Sequence, residues 1–249
     1  MALYIVATPI GNLEDISLRA LRILKEVDLI LCEDTRRSKK LLARYEITTP
    51  TLSYHQHSKF QKINYILELL GQGKNLALVS DAGTPGISDP GNKLVNEVLR
   101  CLGNQVIQHP DAQVPKYPSA QVPKYPSTQV PIIPIPGPSA LTAALSICGF
   151  PTDKFIFLGF PPHKKGRQKF FTEVTHAKYT NIFYESPHRI LKALEELNKL
   201  APDREIVVAR ELTKKFEFIY RGKISEVFAR LKKEKIRGEF VVIIKNKGR

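Results

Sequence analysis

A loop rich in glycine and proline, residues 80–91, is the segment whose residue types are best suited to chemistry. It reads Ser-Asp-Ala-Gly-Thr-Pro-Gly-Ile-Ser-Asp-Pro-Gly, with three glycines and two prolines in twelve positions. Glycines let backbone amides approach a ligand, and Asp81 offers a carboxylate to hydroxyl groups or to a positive centre. An ordinary strand-to-helix turn needs only one or two such residues, so we interpret the segment as a ligand-binding loop. It matches neither GxxxxGK[ST] nor GxGxxG, the usual nucleotide motifs.

The elements around this loop place it at the end of a strand. An apolar run over 76–79 predicts a buried strand before it, and a helical pattern over 90–102 follows it. Asp89 is typical of an N-cap, Pro90 of the first helical position and Gly103 of the residue that ends a helix. In open α/β sheets ligands bind outside the carboxyl ends of the strands, where this loop would lie.

Strand and helix patterns alternate along most of the chain, which predicts a mostly parallel sheet covered by helices on both faces. The sequence therefore predicts an α/β fold with two lobes, 1–136 and 137–249, joined at a proline-rich hinge over 134–138. The predicted strands are 3–8, 29–32, 75–79, 155–158, 180–184, 205–209, 216–220 and 240–244, and the predicted helices are 17–27, 38–45, 59–70, 90–102, 139–149, 187–200 and 225–233.

A short repeat interrupts the pattern in the first lobe. The segment Ala-Gln-Val-Pro-Lys-Tyr-Pro-Ser at 112–119 recurs unchanged at 120–127, and a third copy begins at 128. Prolines this dense favour an extended, polyproline-like chain. We interpret residues 110–131 as a surface insertion into a connection, although the alternating lysine and tyrosine leave a nucleic-acid contact open.

The overall charge indicates which kinds of partner the protein attracts. The chain has 249 residues, with 38 Lys and Arg against 24 Asp and Glu, and a formal net charge of +14. Such an excess attracts polyanions, which include nucleic acid, a membrane surface and acidic small molecules. Basic residues are densest at 36–40, 163–169 and 232–237, although solvated lysine faces are common in basic proteins.

Other classes of protein are disfavoured. The three cysteines lie far apart and form no CxxC motif, so we expect neither a zinc site nor a disulfide framework. His55 and His57 have no third ligand nearby, so we predict no metal. The first residues read as a strand rather than a signal peptide, and no apolar run approaches the ~18 residues of a membrane span. We expect a soluble, cytoplasmic protein.

Four further loops carry polar residues at equivalent places. They are 8–15, 33–37, 136–140 and 184–189, which follow predicted strands or open the second lobe. Because the carboxyl ends of parallel strands meet at one edge of a sheet, these loops can converge on one crevice between the lobes. Each loop alone could be a capping turn, so the argument depends on their number.

Together these motifs resemble those of the small-subunit ribosomal RNA methyltransferase I family, within the tetrapyrrole methylase superfamily. The matching segments run in order from residue 2 to about 245. They are Thr-Pro-Ile-Gly-Asn-Leu at 8–13, Glu-Asp-Thr-Arg at 33–36, the loop at 80–91, Pro-Ile-Pro-Gly-Pro-Ser-Ala at 134–140, Tyr-Glu-Ser-Pro-His-Arg at 184–189 and Ala-Arg-Glu-Leu-Thr-Lys at 209–214. The chain departs from the family in its repeat and in lacking the C-terminal extension of longer members.

The resemblance implies a tetrapyrrole methylase-like fold with S-adenosylmethionine in the cleft between two α/β lobes, and a homodimer. It implies 2′-O-methylation of a cytidine in the decoding region of small-subunit rRNA. The residues it assigns to the cofactor are Pro9, Asp81, Ala82, Gly83, Ile87, Ser139, Ala140, Tyr184 and Ala209. Small residues at 82, 83 and 140 leave room for a folded cofactor.

Methyl transfer is an in-line displacement in which alignment of the reacting atoms contributes much of the rate. Because a ribose hydroxyl is a weak acid, a base or a hydrogen-bond acceptor would also help. The candidates are Glu33, Asp34, Glu185, His188 and Glu211, and Glu185 is the first choice as the catalytic residue. The alternative is that these carboxylates pair with Arg36, Arg189 or Arg210 and hold loops in place.

The residues predicted to hold phosphates or ribose of the RNA are Arg36, Arg37, His188 and Arg189. Arginine suits this role because its planar fork binds phosphate through two hydrogen bonds. Two other functions stay open: a methyltransferase of the same superfamily that acts on a tetrapyrrole, and a ribosome-binding factor without catalysis. Net charge does not separate the two substrates, since both are anionic.

Overall fold

The computed structural model describes residues 1–55, 58, 60–102 and 130–246. Most of the repeat, His57 and the predicted helix end at Gly103 lie outside these ranges. The chain divides into two compact units. Unit 1 comprises Met1–Pro9 and Leu13–Pro138, and unit 2 comprises Ile10–Asn12 and Ser139–Arg249.

Unit 1 contains one sheet of five parallel strands in the order β3-β2-β4-β1-β5. The strands are β1 (Ala2–Val6), β2 (Leu29–Cys32), β3 (Thr51–Ser53), β4 (Asn75–Val79) and β5 (Ile132–Ile135). The helices are α1 (Leu18–Glu26), α2 (Thr35–Arg44), α3 (Phe60–Gly71) and α4 (Asn92–Leu102), with a short 3-10 turn at Leu13–Asp15. The parallel sheet predicted for this part of the chain is confirmed.

Helices cover both faces of this sheet. In β4, Ala77 and Val79 pack in the core formed with α1 and α2, while Leu76 and Leu78 pack in the core formed with α3 and α4. Because successive strand residues point to opposite faces, a strand buried on both faces must be apolar throughout. This is why the apolar run that precedes the loop at 80–91 identifies a central strand.

The start of α4 differs from the prediction. The helix begins at Asn92, two residues after Pro90. The carbonyl of Gly91 accepts the first helical bond, from Val95 N at 2.9 Å, so Gly91 takes the position predicted for Asp89. Gly91 has φ 152°, and a Cβ there would lie 3.2 Å from Gly86 N and from a methyl of Leu78. Only glycine fits this tight turn.

Unit 2 contains a mixed sheet, in the order β6-β7-β10-β8-β9. The strands are β6 (Phe155–Phe157), β7 (Thr180–Glu185), β8 (Glu205–Arg210), β9 (Phe218–Lys223) and β10 (Phe240–Ile244), and the helices are α5 (Ala140–Cys148), α6 (Arg167–His176), α7 (Ile190–Leu200) and α8 (Ile224–Leu231). Only β6 and β7 pair in parallel, so the expectation of a mostly parallel sheet is wrong for this unit. The connection from β8 to β9 holds no helix, and a parallel return would need a longer crossover.

Helices again cover both faces of the sheet. Helices α6, α7 and α8 pack on one face, and α5 packs on the other with Ile10. The amide of Asn12 donates to Thr213 Oγ1 at 3.1 Å. A Cβ on Gly11 would lie 2.4 Å from Lys214 Cγ and 2.7 Å from Thr213 Oγ1, so residue 11 must be glycine. The segment 10–12 therefore packs closely within unit 2.

The prediction missed three elements, which are β3, β5 and α6. Strand β5 contains Pro134, which fits because β5 lies at the edge of its sheet. Among the described residues, no helix is long and apolar enough to cross a lipid bilayer, and no cluster of three metal-binding side chains occurs.

Two leucines on α4 provide a test of this core. Leu94 is fully buried and Leu99 is 52% exposed. Replacing Leu94 with alanine is expected to lower the free energy of unfolding by about 2–5 kcal/mol, because it leaves a cavity. The matched control Leu99→Ala should lower it by less than about 1 kcal/mol. Urea unfolding followed by circular dichroism measures both, and equal losses would contradict the described packing.

Candidate active site

Three predicted loops meet at one edge of the sheet in unit 1. Strands β2, β4 and β1 are neighbours and run in parallel, so the loops 33–37, 80–91 and 8–15 all leave from their carboxyl ends. Thr8 and Gly83 form an isolated bridge in which each amide donates to the other's carbonyl at 2.9 Å. Gly83 has φ 81°, a conformation that favours glycine. The bridge fixes the glycine-rich loop against the loop after β1.

Asp81 joins the loop after β4 to the loop after β2. Its Oδ1 accepts from the amide of Asp34 at 3.1 Å, and its Oδ2 lies 3.1 Å from Nη1 of Arg37. Glu33 lies beside it, with Oε2 3.5 Å from the amide of Asp81. Burial, and then the charge of Asp81, raise the pKa of Glu33. The carboxylates of Asp81 and Glu33 and the guanidinium of Arg37 therefore interact electrostatically at this edge.

Arg36 and Arg37 differ in their partners, although both were predicted to bind RNA. Arg36 donates to both carboxylate oxygens of Asp34, at 3.1 and 2.8 Å, and Asp34 also caps α2 through the amide of Arg36. These bonds lower the pKa of Asp34 to about 2. The pairing alternative is therefore confirmed for Asp34. Arg37 contacts Asp81 and exposes 64% of its side chain.

A pocket of about 170 Å³ opens at the same edge. Its lining contains Pro9 and Asp81, which were predicted to bind the cofactor, and Arg37, which was predicted to bind RNA. Ala82 and Gly83 follow directly in the chain, and Ile87 is 45% exposed. The lining residues that the prediction did not include are Thr8, Leu13, Ser38, Lys40, Leu41 and Ser80. Thr8 and Ser80 are the first residues of the predicted polar loops 8–15 and 80–91, so their positions in the sequence could have identified them.

In unit 2, the start of α5 meets the end of β7. The hydroxyl of Tyr184 accepts from the amide of Leu141 at 3.1 Å, in the first turn of α5. Ser139 occupies the N-cap of that helix and makes no side-chain capping bond, and Ala140 follows it. Ala209 is buried at 1% exposure in the core beneath α5. The structure thus brings together Ser139, Ala140 and Tyr184, while the side chain of Ala209 lies in the packed interior.

Glu185, the first-choice base, is buried in an ion-pair cluster. Its side chain has no exposed surface; Oε1 accepts from Ser186 N at 2.8 Å and forms an ion pair with Arg189, whose Nε lies 2.9 Å away. Nη1 of Arg167 lies 3.9 Å from Oε2. Burial raises the pKa of Glu185, and the Ser186 amide and the two arginines oppose that rise. A carboxylate so enclosed favours the alternative, in which it holds the loop 184–189 in place.

The two arginines of this cluster also bind other groups of the protein. Arg189 donates to Ser186 Oγ at 3.2 Å and to the carbonyl of Pro161 at 3.3 Å. Arg167 is 5% exposed and pairs with Glu196 at 2.8 Å. Nη2 of Arg167 and Oε2 of Glu185 have no hydrogen-bond partner among the residues that the structure describes. Arg167 and Glu196 were not among the residues predicted for the site. The loop contains two RNA candidates, His188 and Arg189. His188 is exposed, so it is more accessible to RNA than Arg189.

Glu211 is likewise held by neighbours. It accepts from Lys214 Nζ and from the amide of Glu239, both at 2.9 Å. Burial acts to raise the pKa of Glu211, but these two bonds outweigh it and leave the pKa lowered. A Cβ on Gly238 would lie 2.2 Å from Glu211 Cγ. Glu211 thus pairs with Lys214, whereas Arg210 pairs with Glu234 at 3.5 Å.

Removing Glu185 tests whether it holds the cluster. We expect Glu185→Ala to lower the free energy of unfolding by about 3–5 kcal/mol, because it leaves buried arginine charge unpaired. The control is Glu195→Ala on α7, whose partner Lys199 is 68% exposed, so that its loss should change the free energy of unfolding little. Chemical denaturation measures both variants. A loss for Glu185→Ala no larger than the control's would show that the cluster is not structural.

The pKa of Glu33 provides a second test. In the cofactor-free protein we expect it to titrate above its ordinary 4.5. A raised pKa means that Glu33 contributes stability below its ordinary value, and that this contribution is lost as the pH rises through the raised value. Asp81→Asn should lower the Glu33 pKa, while Asp28→Asn, at the opposite end of β2, should not. Carboxyl-carbon NMR titration measures this, and an unchanged midpoint in Asp81→Asn would refute the coupling.

The sequence is similar to that of known methyltransferases. The sequence matches the profile of the family described as tetrapyrrole (corrin/porphyrin) methylases over residues 2–110 and 126–227. It is 43% identical over 245 residues to ribosomal RNA small subunit methyltransferase I of Thermotoga maritima, and the match covers 98% of each chain. The relative of that name from Bacillus subtilis is 42% identical over 243 residues, which are 97% of this chain and 74% of that relative.

Solved structures share the fold at low sequence identity. A diphthine synthase superimposes with a TM-score of 0.68 at 12% identity, over 98% of this chain and 90% of that one. A cobalt precorrin-4 methyltransferase of cobalamin biosynthesis gives 0.66 at 18% identity, over 98% and 94%. At such identities the likeness shows the fold alone, and it confirms the predicted α/β class.

Proposed function

The chain belongs to the tetrapyrrole (corrin/porphyrin) methylase family, and we propose that it transfers a methyl group from S-adenosylmethionine to small-subunit ribosomal RNA. The observation that carries this proposal is the full-length similarity, at 43% identity, to a ribosomal RNA small subunit methyltransferase I. The polar, glycine-rich edge of unit 1 supports it, since ligands in α/β sheets bind at such edges.

The finer assignment is 2′-O-methylation of a cytidine in the decoding region. It is supported by the family motifs at 33–36 and 184–189. With an rRNA substrate, the protein would act in the cytoplasm on the small subunit or its precursor, and we propose that it acts as a homodimer.

The residues at the edge of unit 1 fit the proposed cofactor. S-adenosylmethionine supplies an activated methyl group on a positively charged sulfur. The carboxylate of Asp81 matches that charge, and Gly83 brings main-chain groups close without a side chain. The pocket of about 170 Å³ is smaller than the roughly 300–1,000 Å³ of typical small-molecule sites, so residues beyond its lining would also bind the cofactor. In unit 1 we assign that role to Ala82 and Ile87, which belong to the same loop as Asp81. In unit 2 we keep Ser139, Ala140 and Tyr184 as cofactor-binding candidates, and Ala209, whose side chain is buried, would contribute main-chain atoms.

Catalysis by this chain would depend mainly on positioning. Glu185 holds Arg189 and the amide of Ser186, so we assign it the role of orienting the loop 184–189 rather than that of a base. Glu33 is the better candidate to accept a proton from a ribose hydroxyl, because it is only partly buried and because burial and the charge of Asp81 raise its pKa.

For the RNA, we propose that Arg37 and His188 make the first contacts. Arg37 exposes most of its side chain beside the pocket, and His188 is exposed. Arg36 and Arg189 already bind carboxylates and would have to exchange partners to reach a phosphate.

The proposal is tested by incubating the protein with radiolabelled S-adenosylmethionine and unmodified small ribosomal subunits, followed by nuclease mapping. We expect label on the 2′-oxygen of a cytidine in the decoding region. Asp81→Asn should lower both cofactor affinity and transfer by about 10- to 100-fold, the loss typical of a hydrogen bond to a charged group. The control is Asp153→Asn, at an exposed position in unit 2, which should leave both unchanged.

The other outcomes separate the alternatives. Cofactor binding without transfer to any subunit would favour a ribosome-binding factor. Transfer to a tetrapyrrole but not to RNA would move the substrate to that class. Equal activity of Asp81→Asn and the control would refute the cofactor assignment.

A further inference from the structure

We propose that a second surface, on unit 2, docks a single-stranded segment of the RNA substrate away from the reacting nucleotide. This basic–aromatic surface comprises Phe218, Arg230, Lys233, Lys235 and Arg237. It lies on the edge strand β9, at the end of α8 and along the turn from α8 to β10. The inference rests on the proposed function for the identity of the partner.

Positive charge is concentrated on the turn between α8 and β10. Lys233, Lys235 and Arg237 are all exposed, and none forms an ion pair with any residue that the structure describes. Three such exposed cations within five residues attract a polyanion. Cations that contact phosphates release counterions, and this release is a major source of affinity for nucleic acid.

The backbone of this turn is fixed by neighbours. Nε of Arg210 donates to the carbonyl of Arg237 at 2.9 Å, and the side chain of Arg210 is only 15% exposed. The turn contains two acidic residues. Glu234 accepts from the hydroxyl of Tyr220 at 2.6 Å and lies 3.5 Å from Arg210, and Glu239 lies 2.8 Å from Nζ of Lys214. Both acids are therefore paired within the protein, and the cations are exposed on a backbone held by hydrogen bonds.

Aromatic and planar groups adjoin these charges. Phe218 is 41% exposed, and the guanidinium of Arg230 lies 4.7 Å from its ring centroid and 5.3 Å from that of Tyr220. Arg230 also lies 3.8 Å from Glu234, which connects the aromatic groups to the basic turn. Exposed rings and stacked guanidinium groups are platforms on which unpaired bases stack. Phosphate-binding cations beside such a platform fit a single-stranded RNA.

The first test measures binding of a fluorescent RNA of about 20 nucleotides from the decoding region, long enough for several single-strand contacts. The variant K233Q/K235Q/R237Q should lose about tenfold in affinity near physiological salt. Its slope of log affinity against log salt should fall by about 2, at roughly 0.7 per single-strand phosphate contact. The control K25Q/K93Q/K178Q removes the same charge from scattered exposed positions and should change affinity less than about twofold.

Stacking is tested separately from charge. Phe218→Ala should lower affinity by about tenfold with no change in the salt slope, because stacking involves no counterion release. If that variant folds poorly, Phe218→Leu provides the same readout, because it keeps an apolar side chain and the charge while it removes the aromatic face. In methyl transfer to small subunits, the triple variant should raise KM and leave kcat and cofactor affinity unchanged.

The outcomes distinguish the two proposals. If the wild-type protein methylates the subunits but the triple variant binds RNA as the scattered control does, the docking surface is refuted and the proposed function stands. If the wild-type protein neither binds nor methylates RNA, both fail. Changed self-association of the triple variant in sedimentation, without a change in RNA affinity, would assign the surface to a protein contact and overturn the inference.

Discussion

Parallel pairing of β2, β4 and β1 is the constraint on which the candidate site depends. Three neighbouring strands that run the same way must release their loops at one edge, so residues distant in sequence become neighbours. Asp81 then receives the amide of Asp34 and the guanidinium of Arg37, and Thr8 exchanges hydrogen bonds with Gly83. Helices on both faces make the strands apolar throughout, so the functional groups lie just past their ends.

The two units differ in how the charged side chains near their cores are balanced by partners of opposite charge. At the edge of unit 1, carboxylates outnumber their arginine partner, and the proton affinity of Glu33 rises. In unit 2, Glu185 is matched by Arg189 and Arg167, and Arg167 by Glu196, so the buried group is close to neutral. An electrically balanced buried cluster suits the fixing of a loop, whereas an unbalanced, partly exposed one suits binding and proton transfer.

Sequence patterns predicted local structure and motif positions well, and long-range arrangement less well. Strands 29–32, 75–79 and 240–244 were predicted to the residue, because short apolar runs with clear boundaries carry that signal. The antiparallel return of β10 between β7 and β8 was missed, because strand direction depends on pairing rather than on residue type. The pairing of Glu185 with Arg189 was one of the alternatives that the sequence offered, but its second partner, Arg167, was missed because α6 has a weak apolar pattern and was not predicted.

The segment Ile10–Asn12 gives the chain an order of assembly. Unit 2 contains these residues, yet the bond from Asn12 to Thr213 spans 201 positions. At synthesis rates of roughly 5–20 residues per second, the ribosome needs about 10–40 s to reach Thr213 after making Asn12. Unit 2 therefore cannot be completed by residues made late in translation alone. The segment 10–12 is among the first to leave the exit tunnel, and it can pack in unit 2 only after the region around Thr213 has followed it.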